Sequence, residues 1–315
     1  MKKILWMFLF TIILSVCLCP VAGASDAAKT KVVTTIFPQY DFARAIAGDA
    51  VDLVMVLRPG AESHSFDPTP HDIRLISGCD VFIYVGGLSE GWAVNILNSL
   101  PESARERIRI VALMDIVESV EEETVEGMQE EKEAENGGVP EYDEHVWTSP
   151  KNARKIVSAL TDVLCEVDGR NEPAYRANSA GYLGQLDELD EKIETIVSNA
   201  KRRTIMFGDR FPFRYLVDAY GLDYFAAFPG CSTETEANAA TIAFLINKTR
   251  EWGIPVVFYR EFSNGNVARS ICESTGARVM MLHSCHNISR DDFNAGVTYI
   301  DIMTRNADAL CEALN

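Results

Sequence analysis

Five histidines, His64, His71, His145, His283 and His286, are the residues of this chain whose type and placement can do chemistry. His64 lies in the turn-rich stretch from Arg58 to Asp72, among prolines and acids. This stretch follows Val51 to Leu57, an apolar run that reads as a buried strand stopped by Pro59-Gly60. His145 stands just before a helix predicted to start with Ser149 as its cap and Pro150 at its first position. His283 and His286 follow the apolar run Arg278 to Leu282. Asp209 and Arg210 come after Met206-Phe207, and Arg260 and Glu261 after Tyr259, again at the ends of predicted strands. All five histidines thus fall on loops near strand ends or helix starts, although His71, after Pro70, reads as a helix-start residue. A single loop histidine is often only solvated. Neutral imidazole is the commonest protein metal ligand, and open α/β sheets bind ligands at the carboxyl ends of their strands. Imidazoles joined by a carboxylate suit a tetrahedral or distorted N/O site for zinc or a neighbouring first-row ion.

The elements needed to position these groups are legible. Strands at Val32 to Ile36, Val51 to Leu57 and Asp80 to Val85 alternate with helices, followed by a helix near Trp92 to Leu100 and a strand over Ile108 to Leu113. Such alternation predicts a parallel sheet with right-handed crossovers. After Pro173 at its start, no proline interrupts the stretch to Ala200, and Leu183, Leu186, Leu189, Ile193 and Ile196 keep helical spacing. This predicts one long helix. A second α/β run follows, from Thr204-Ile-Met-Phe207 to an amphipathic helix within Phe293 to Leu314. The expected fold is α/β with two lobes, each a mainly parallel sheet flanked by helices, joined by the long helix. Its parts are a first lobe over 25–170, a linker helix over 171–200 and a second lobe over 201–315. A continuous helix resists hinge bending, so small lobe motions are expected, across a polar cleft.

The chain opens Met1-Lys2-Lys3, continues through apolar Ile4 to Leu18 and reaches Ala22-Gly23-Ala24. Residues 1–24 therefore read as a secretory signal peptide, the apolar run being shorter than the ~20 residues of a spanning helix. Leu14-Ser15-Val16-Cys17 loosely matches a lipidation signal, but Val16 stands where a small residue is expected, so cleavage after Ala24 is preferred over a lipid anchor. The expected location is extracytoplasmic, in a periplasm or on a cell surface.

The formal charge of the chain is −17. Glu118 to Glu144 alone holds twelve acidic residues against Lys132, so 117–144 reads as a mobile acidic surface loop. No basic cluster exists to track a phosphate backbone, which argues against nucleic acid as a partner. Six cysteines remain after the signal, and an oxidising compartment permits pairing. Cys231 and Cys285, each in a loop after a predicted second-lobe strand, are the expected disulfide.

The Pro-Gly…His-Ser-Phe-Asp-Pro-Thr-Pro stretch around His64, the His145-Val-Trp-Thr-Ser-Pro stretch, the long helix after it and the two-lobe alternation resemble the zinc- and manganese-binding proteins of ABC metal importers, the cluster A-I solute-binding family. The resemblance spans essentially the whole mature chain. It implies that His64 and His145 are first-lobe ligands, that the acidic stretch takes the place of the family's metal-attracting loop, and that the long helix links the lobes. The second lobe departs from the family pattern. A third histidine is usual where this chain has Phe207-Gly208-Asp209, and an aspartate or water is usual where it has His283 and His286. An exchange of ligand types between the two positions makes Asp209 and His286 the expected second-lobe ligands, with His283 and Glu261 as substitutes; pairing of Arg210 with Asp209 would remove that ligand.

The expected function is capture of a divalent transition metal, zinc before manganese, and delivery to an ABC permease by a monomeric, non-enzymatic binding protein. A secreted zinc hydrolase is disfavoured because His-Glu-x-x-His is absent. A metal-stabilised surface adhesin is the remaining alternative.

Overall fold

A computed structural model describes residues 28–61, 66–129, 141–232 and 237–315. The expected signal peptide and lipidation signal, His64 and residues 130–140 of the acidic segment lie outside the described residues.

The first lobe runs β1 (Thr30–Thr34), α1 (Phe37–Ala47), β2 (Val51–Met55), α2 (Pro70–Ser77), β3 (Val81–Tyr84), α3 (Gly91–Ser99), α4 (Glu102–Arg107) and β4 (Arg109–Ala112). Its four strands are parallel in the order β2-β1-β3-β4. Local chemistry sets the helix starts. Gln39 turns its carboxamide oxygen back onto the Thr35 and Ile36 amides at 2.9 and 3.2 Å. Thr69 caps α2 and receives the Asp72 carboxylate in return, with Pro70 at the first position. His71 is exposed on that first turn, as its helix-start reading requires.

Next come α5 (Pro150–Val167) and α6 (Glu172–Ser198). Ser149 precedes α5, but its side chain makes no capping bond. At 27 residues α6 is roughly 40 Å long. Tyr175, Ser179, Tyr182, Leu186, Leu189, Ile193 and Val197 form its buried stripe, which faces α1, α5 and α11.

The second lobe runs β5 (Thr204–Phe211), α7 (Arg214–Tyr220), β6 (Asp223–Pro229), α8 (Ala239–Glu251), β7 (Val256–Tyr259), α9 (Asn266–Thr275), β8 (Arg278–Met281), α10 (Arg290–Asn294) and α11 (Tyr299–Leu314). Its parallel order, β6-β5-β7-β8, repeats that of the first sheet. The terminal amphipathic helix expected within Phe293 to Leu314 is α11, and the short α10 precedes it. Gly296 takes φ +74°, and Thr298 opens a fresh helix through a capping box with Asp301.

The lobes do not meet through a merely polar cleft. Phe37, Phe42, Trp147, Tyr182, Phe207 and Tyr299 belong to one buried cluster that passes from one lobe into the other. Asp41, 1% exposed, accepts from the Tyr299 amide and the Tyr182 hydroxyl and pairs with Arg44, joining α1, α6 and α11.

The described half of the acidic segment is a strap rather than a loose loop. The Gln129 amide donates to Ala227 O at 3.0 Å, Arg214 pairs with Glu123 at 2.6 Å, and the Gly230 amide donates to Glu122 at 2.6 Å. Val117 and Met128 are buried beneath it. The dense charge of the segment hides these apolar residues, which drive it onto the second lobe.

Candidate metal centre

His145 is 2% exposed. Asp143 fixes it twice: one carboxylate oxygen accepts from the His145 amide at 2.7 Å and lies 3.2 Å from Nδ1. With the ring proton on Nδ1, Nε2 is left as the metal-facing nitrogen, the usual effect of a carboxylate behind a ligating histidine. Burial alone would push the imidazole toward its neutral form. The Asp143 charge and hydrogen bond, helped by Glu122 and Glu144, outweigh burial and raise the imidazole above its ordinary value. Burial, with the Asp143 charge, pushes the Glu122 carboxyl up to about 7. Second-lobe groups also grip this loop, since the Tyr215 hydroxyl donates to Asp143 O at 2.8 Å. Glu144 accepts from the Ser89 amide at 2.8 Å and from its hydroxyl. A Cβ at Gly87 would stand 2.1 Å from Glu144 Cδ, so a side chain there would displace the Glu144 carboxylate from this position.

His286 approaches from the loop after β8. Its ring centroid lies 5.6 Å from that of His145 and 5.2 Å from Trp147. Trp147 holds the two loops together, its indole N–H donating to Ser284 O at 2.8 Å while Tyr299 donates to Trp147 O at 2.7 Å. The stretch that carries His64 is tied to the same place from both sides. Before it, Asn287 donates to Arg58 O and Ala61 O, each at 2.8 Å, and the Gly60 amide donates to Ile288 O at 2.8 Å. After it, Phe66 packs on Trp92 with centroids 5.1 Å apart. Phe66, Trp92, Thr35, Glu90 and His286 line one small cavity where β1 and β3 diverge, the point at which open α/β sheets bind ligands.

The other candidates lie elsewhere or serve other groups. Asp209 sits 3.6 Å from Arg260 in a separate cavity of about 280 Å³ where β5 and β7 diverge, and neither His145 nor His286 lines it. Burial raises the Asp209 carboxyl, offset by Ser263 and the Arg260 charge. Arg210 bonds Asp209 through its backbone amide, while its guanidinium donates to Ser232 O at 2.8 Å. The salt bridge to Asp209 comes from Arg260, not from Arg210, the pairing weighed as an alternative to ligation. Glu261 is 4% exposed and both its oxygens accept from Ser284, and His283 Nδ1 accepts from the Cys285 amide at 3.0 Å. Cys231 and Cys285, expected as a disulfide, are both free thiols. They face different surroundings, Cys231 beside Glu122 and Asp143, Cys285 near Glu261 and Asp41; burial pushes both thiols up. Among the described residues no group of three His, Cys, Asp or Glu side chains closes a metal cage. Sequence reasoning missed Asp143, Glu122 and Asn287 as supports. Only Asp143, two residues before His145, carried a readable signal.

Comparison with known proteins gives this geometry its context. The family model described as the periplasmic zinc-uptake complex component A, ZnuA, matches residues 32–313. The chain is 30% identical over 294 residues to the high-affinity zinc uptake system protein ZnuA of Bacillus subtilis, covering 93% of this chain and 90% of that protein. It is 28% identical over 287 residues to the zinc-binding protein AdcA of Streptococcus pyogenes, covering 90% of this chain but only 55% of AdcA, so it spans about half of that relative. Among solved structures, the metal-dependent lipoprotein YcdH from B. subtilis superposes with a TM-score of 0.76 at 28% identity, over 91% of this chain and 100% of that one. The Zn(II)-bound ZnuA-like domain of Streptococcus pneumoniae AdcA gives 0.74 at 25% identity, over 91% and 99%. Matched from the first strand to the last helix, the chain belongs to the ZnuA family, the solute-binding proteins of zinc-uptake ABC systems, a family of transport proteins and not of enzymes.

Proposed function

We propose that this chain, released by a leader over residues 1–24, binds zinc outside the cytoplasm and passes it to the membrane permease of an ABC importer. His64, His145 and His286 are the imidazole ligands in this reading. The observation that carries it is the convergence of His145 and His286, with ring centroids 5.6 Å apart, at the spot where Asn287 and Phe66 pin the two ends of the His64 stretch. Three neutral imidazoles favour zinc over manganese, which prefers oxygen ligands. A carboxylate or water completes the tetrahedron. Asp209 is the carboxylate candidate the geometry supports least, since Arg260 pairs with it. Competition titration with a chromogenic chelator tests the assignment. His64→Ala, His145→Ala and His286→Ala each lower zinc affinity by at least an order of magnitude, whereas unchanged affinity in all three refutes the site.

A further inference from the structure

Both of the non-glycine residues with left-handed backbone among the described residues, Phe262 at φ +58° and Cys285 at φ +62°, stand at second-lobe strand ends. Such conformations are costly for residues bearing a Cβ and persist only where surrounding bonds over-determine them. Here the bonds come from Glu261, the neighbour of one strained residue, acting on Ser284, the neighbour of the other. One Glu261 oxygen accepts from the Ser284 amide at 2.7 Å and the second accepts from its hydroxyl. A serine hydroxyl has one proton, so donating it to Glu261 fixes the rotor and leaves the lone pairs to face the His286 amide, which donates to Ser284 Oγ at 3.3 Å.

We propose that Glu261 is a positioning residue that aims His286 into the metal site through Ser284. This rests on His286 being a ligand. The carboxylate is 4% exposed and both oxygens are engaged, so it acts as a clasp and not as a metal ligand itself. From Glu261 the path runs through the Ser284 hydroxyl to the His286 backbone, and the reversed turn at Cys285 swings the imidazole out of line with β8 toward His145. Asn306 braces the other side of the same turn, accepting from His283 N at 2.9 Å and donating to His283 O at 2.7 Å.

Glu261→Gln keeps the shape, but its amide nitrogen donates to the Ser284 hydroxyl where the carboxylate accepts from it, so the charge is lost and the hydroxyl proton no longer fixes the rotor. Ser284→Ala removes the hydroxyl link with a smaller lesion, and Ser284→Thr restores it. Zinc affinity of the full mature chain is measured by chelator competition, and the visible spectrum of the Co²⁺-loaded protein reports ligand geometry. The expected result is a 10- to 100-fold loss for Glu261→Gln and for Ser284→Ala, the range about right for groups that orient a metal ligand. An altered Co²⁺ spectrum and recovery in Ser284→Thr accompany it. Glu261→Gln combined with His286→Ala binds no more weakly than His286→Ala alone, because the clasp acts only through that ring. If His286→Ala weakens binding but Glu261→Gln and Ser284→Ala leave affinity and spectrum unchanged, the positioning role is overturned. Additive losses in the double variant overturn it as well. If His286→Ala itself binds zinc normally, the ligand assignment fails, and this proposal with it.

Discussion

Asp143→Asn isolates the carboxylate behind His145 with little change of shape, since the asparagine carbonyl can still accept from the His145 amide. The charge is what disappears. At the observed 3.2 Å between Asp143 Oδ1 and His145 Nδ1, an effective dielectric of 20 gives an attraction of about 5 kcal/mol for a protonated ring, an upper figure. A zinc ion on the far nitrogen lies about 7 Å from the same oxygen once the ring and a ~2 Å Zn–N bond are added. Its double charge then feels about 1 to 5 kcal/mol between dielectrics of 80 and 20. Loss of a carboxylate behind a ligating histidine typically weakens metal binding about 10- to 100-fold, or roughly 1.4 to 2.7 kcal/mol, inside that bracket. The two effects oppose each other across pH. As pH rises, proton competition for the ring fades in both proteins, and the variant approaches its full deficit. Toward acidic pH the wild-type ring holds its proton harder because Asp143 raises it, so zinc must displace a proton that the variant gives up more readily. Competition titrations from pH 5.5 to 8 should therefore show two affinity curves that converge toward acid. Equal affinities at pH 8, or a deficit that widens toward acid, would refute the argument that Asp143 acts through the His145 ring.

Asn287→Ala removes both bonds that hold Arg58 O and Ala61 O; it should lower thermal stability by about 1 to 3 kcal/mol and weaken zinc binding together, and an unchanged Kd would separate the His64 stretch from the site. Deleting residues 121–138 strips Glu122, Met128 and Gln129 from the second lobe, so it should lower the melting temperature and zinc affinity; unchanged values of both would deny the strap its role. Zinc at a thousandfold excess over Kd should stabilise the protein by about 4 kcal/mol in melting experiments. The sign of its pH dependence follows from His145, whose folded-state value is raised. The metal-free protein keeps that protonation-linked stability below the unfolded value of about 6.5 and loses it as pH rises through the raised value. Zinc needs the neutral ring, so its stabilisation grows over the same rise and is smallest near pH 5. A metal-induced shift of equal size at pH 5 and pH 8 would contradict this.

The sequence by itself determined the two parallel α/β lobes and the long helix between them, because alternating apolar runs and an unbroken helical stripe are local patterns. It also determined that the four described histidines stand at strand ends and helix starts, since proline, glycine and capping residues mark those places in the chain itself. Only the tertiary structure decided which of them meet. His145 and His286 are far apart in sequence, and their rings come together because Trp147, Asn287 and Tyr299 bond across the lobes. Sequence could not rank Asp209, Glu261 and His283, because a carboxylate's role depends on its neighbour: Arg260 pairs with Asp209, and Ser284 occupies both oxygens of Glu261. The same limit applies to the acidic segment, where charge density suggested a free loop. Burial of Val117 and Met128 and the edge of β6 at Ala227 fasten it down. Its strand and helix patterns are local physics, whereas the partners of a buried charge are set by packing between segments remote in the chain.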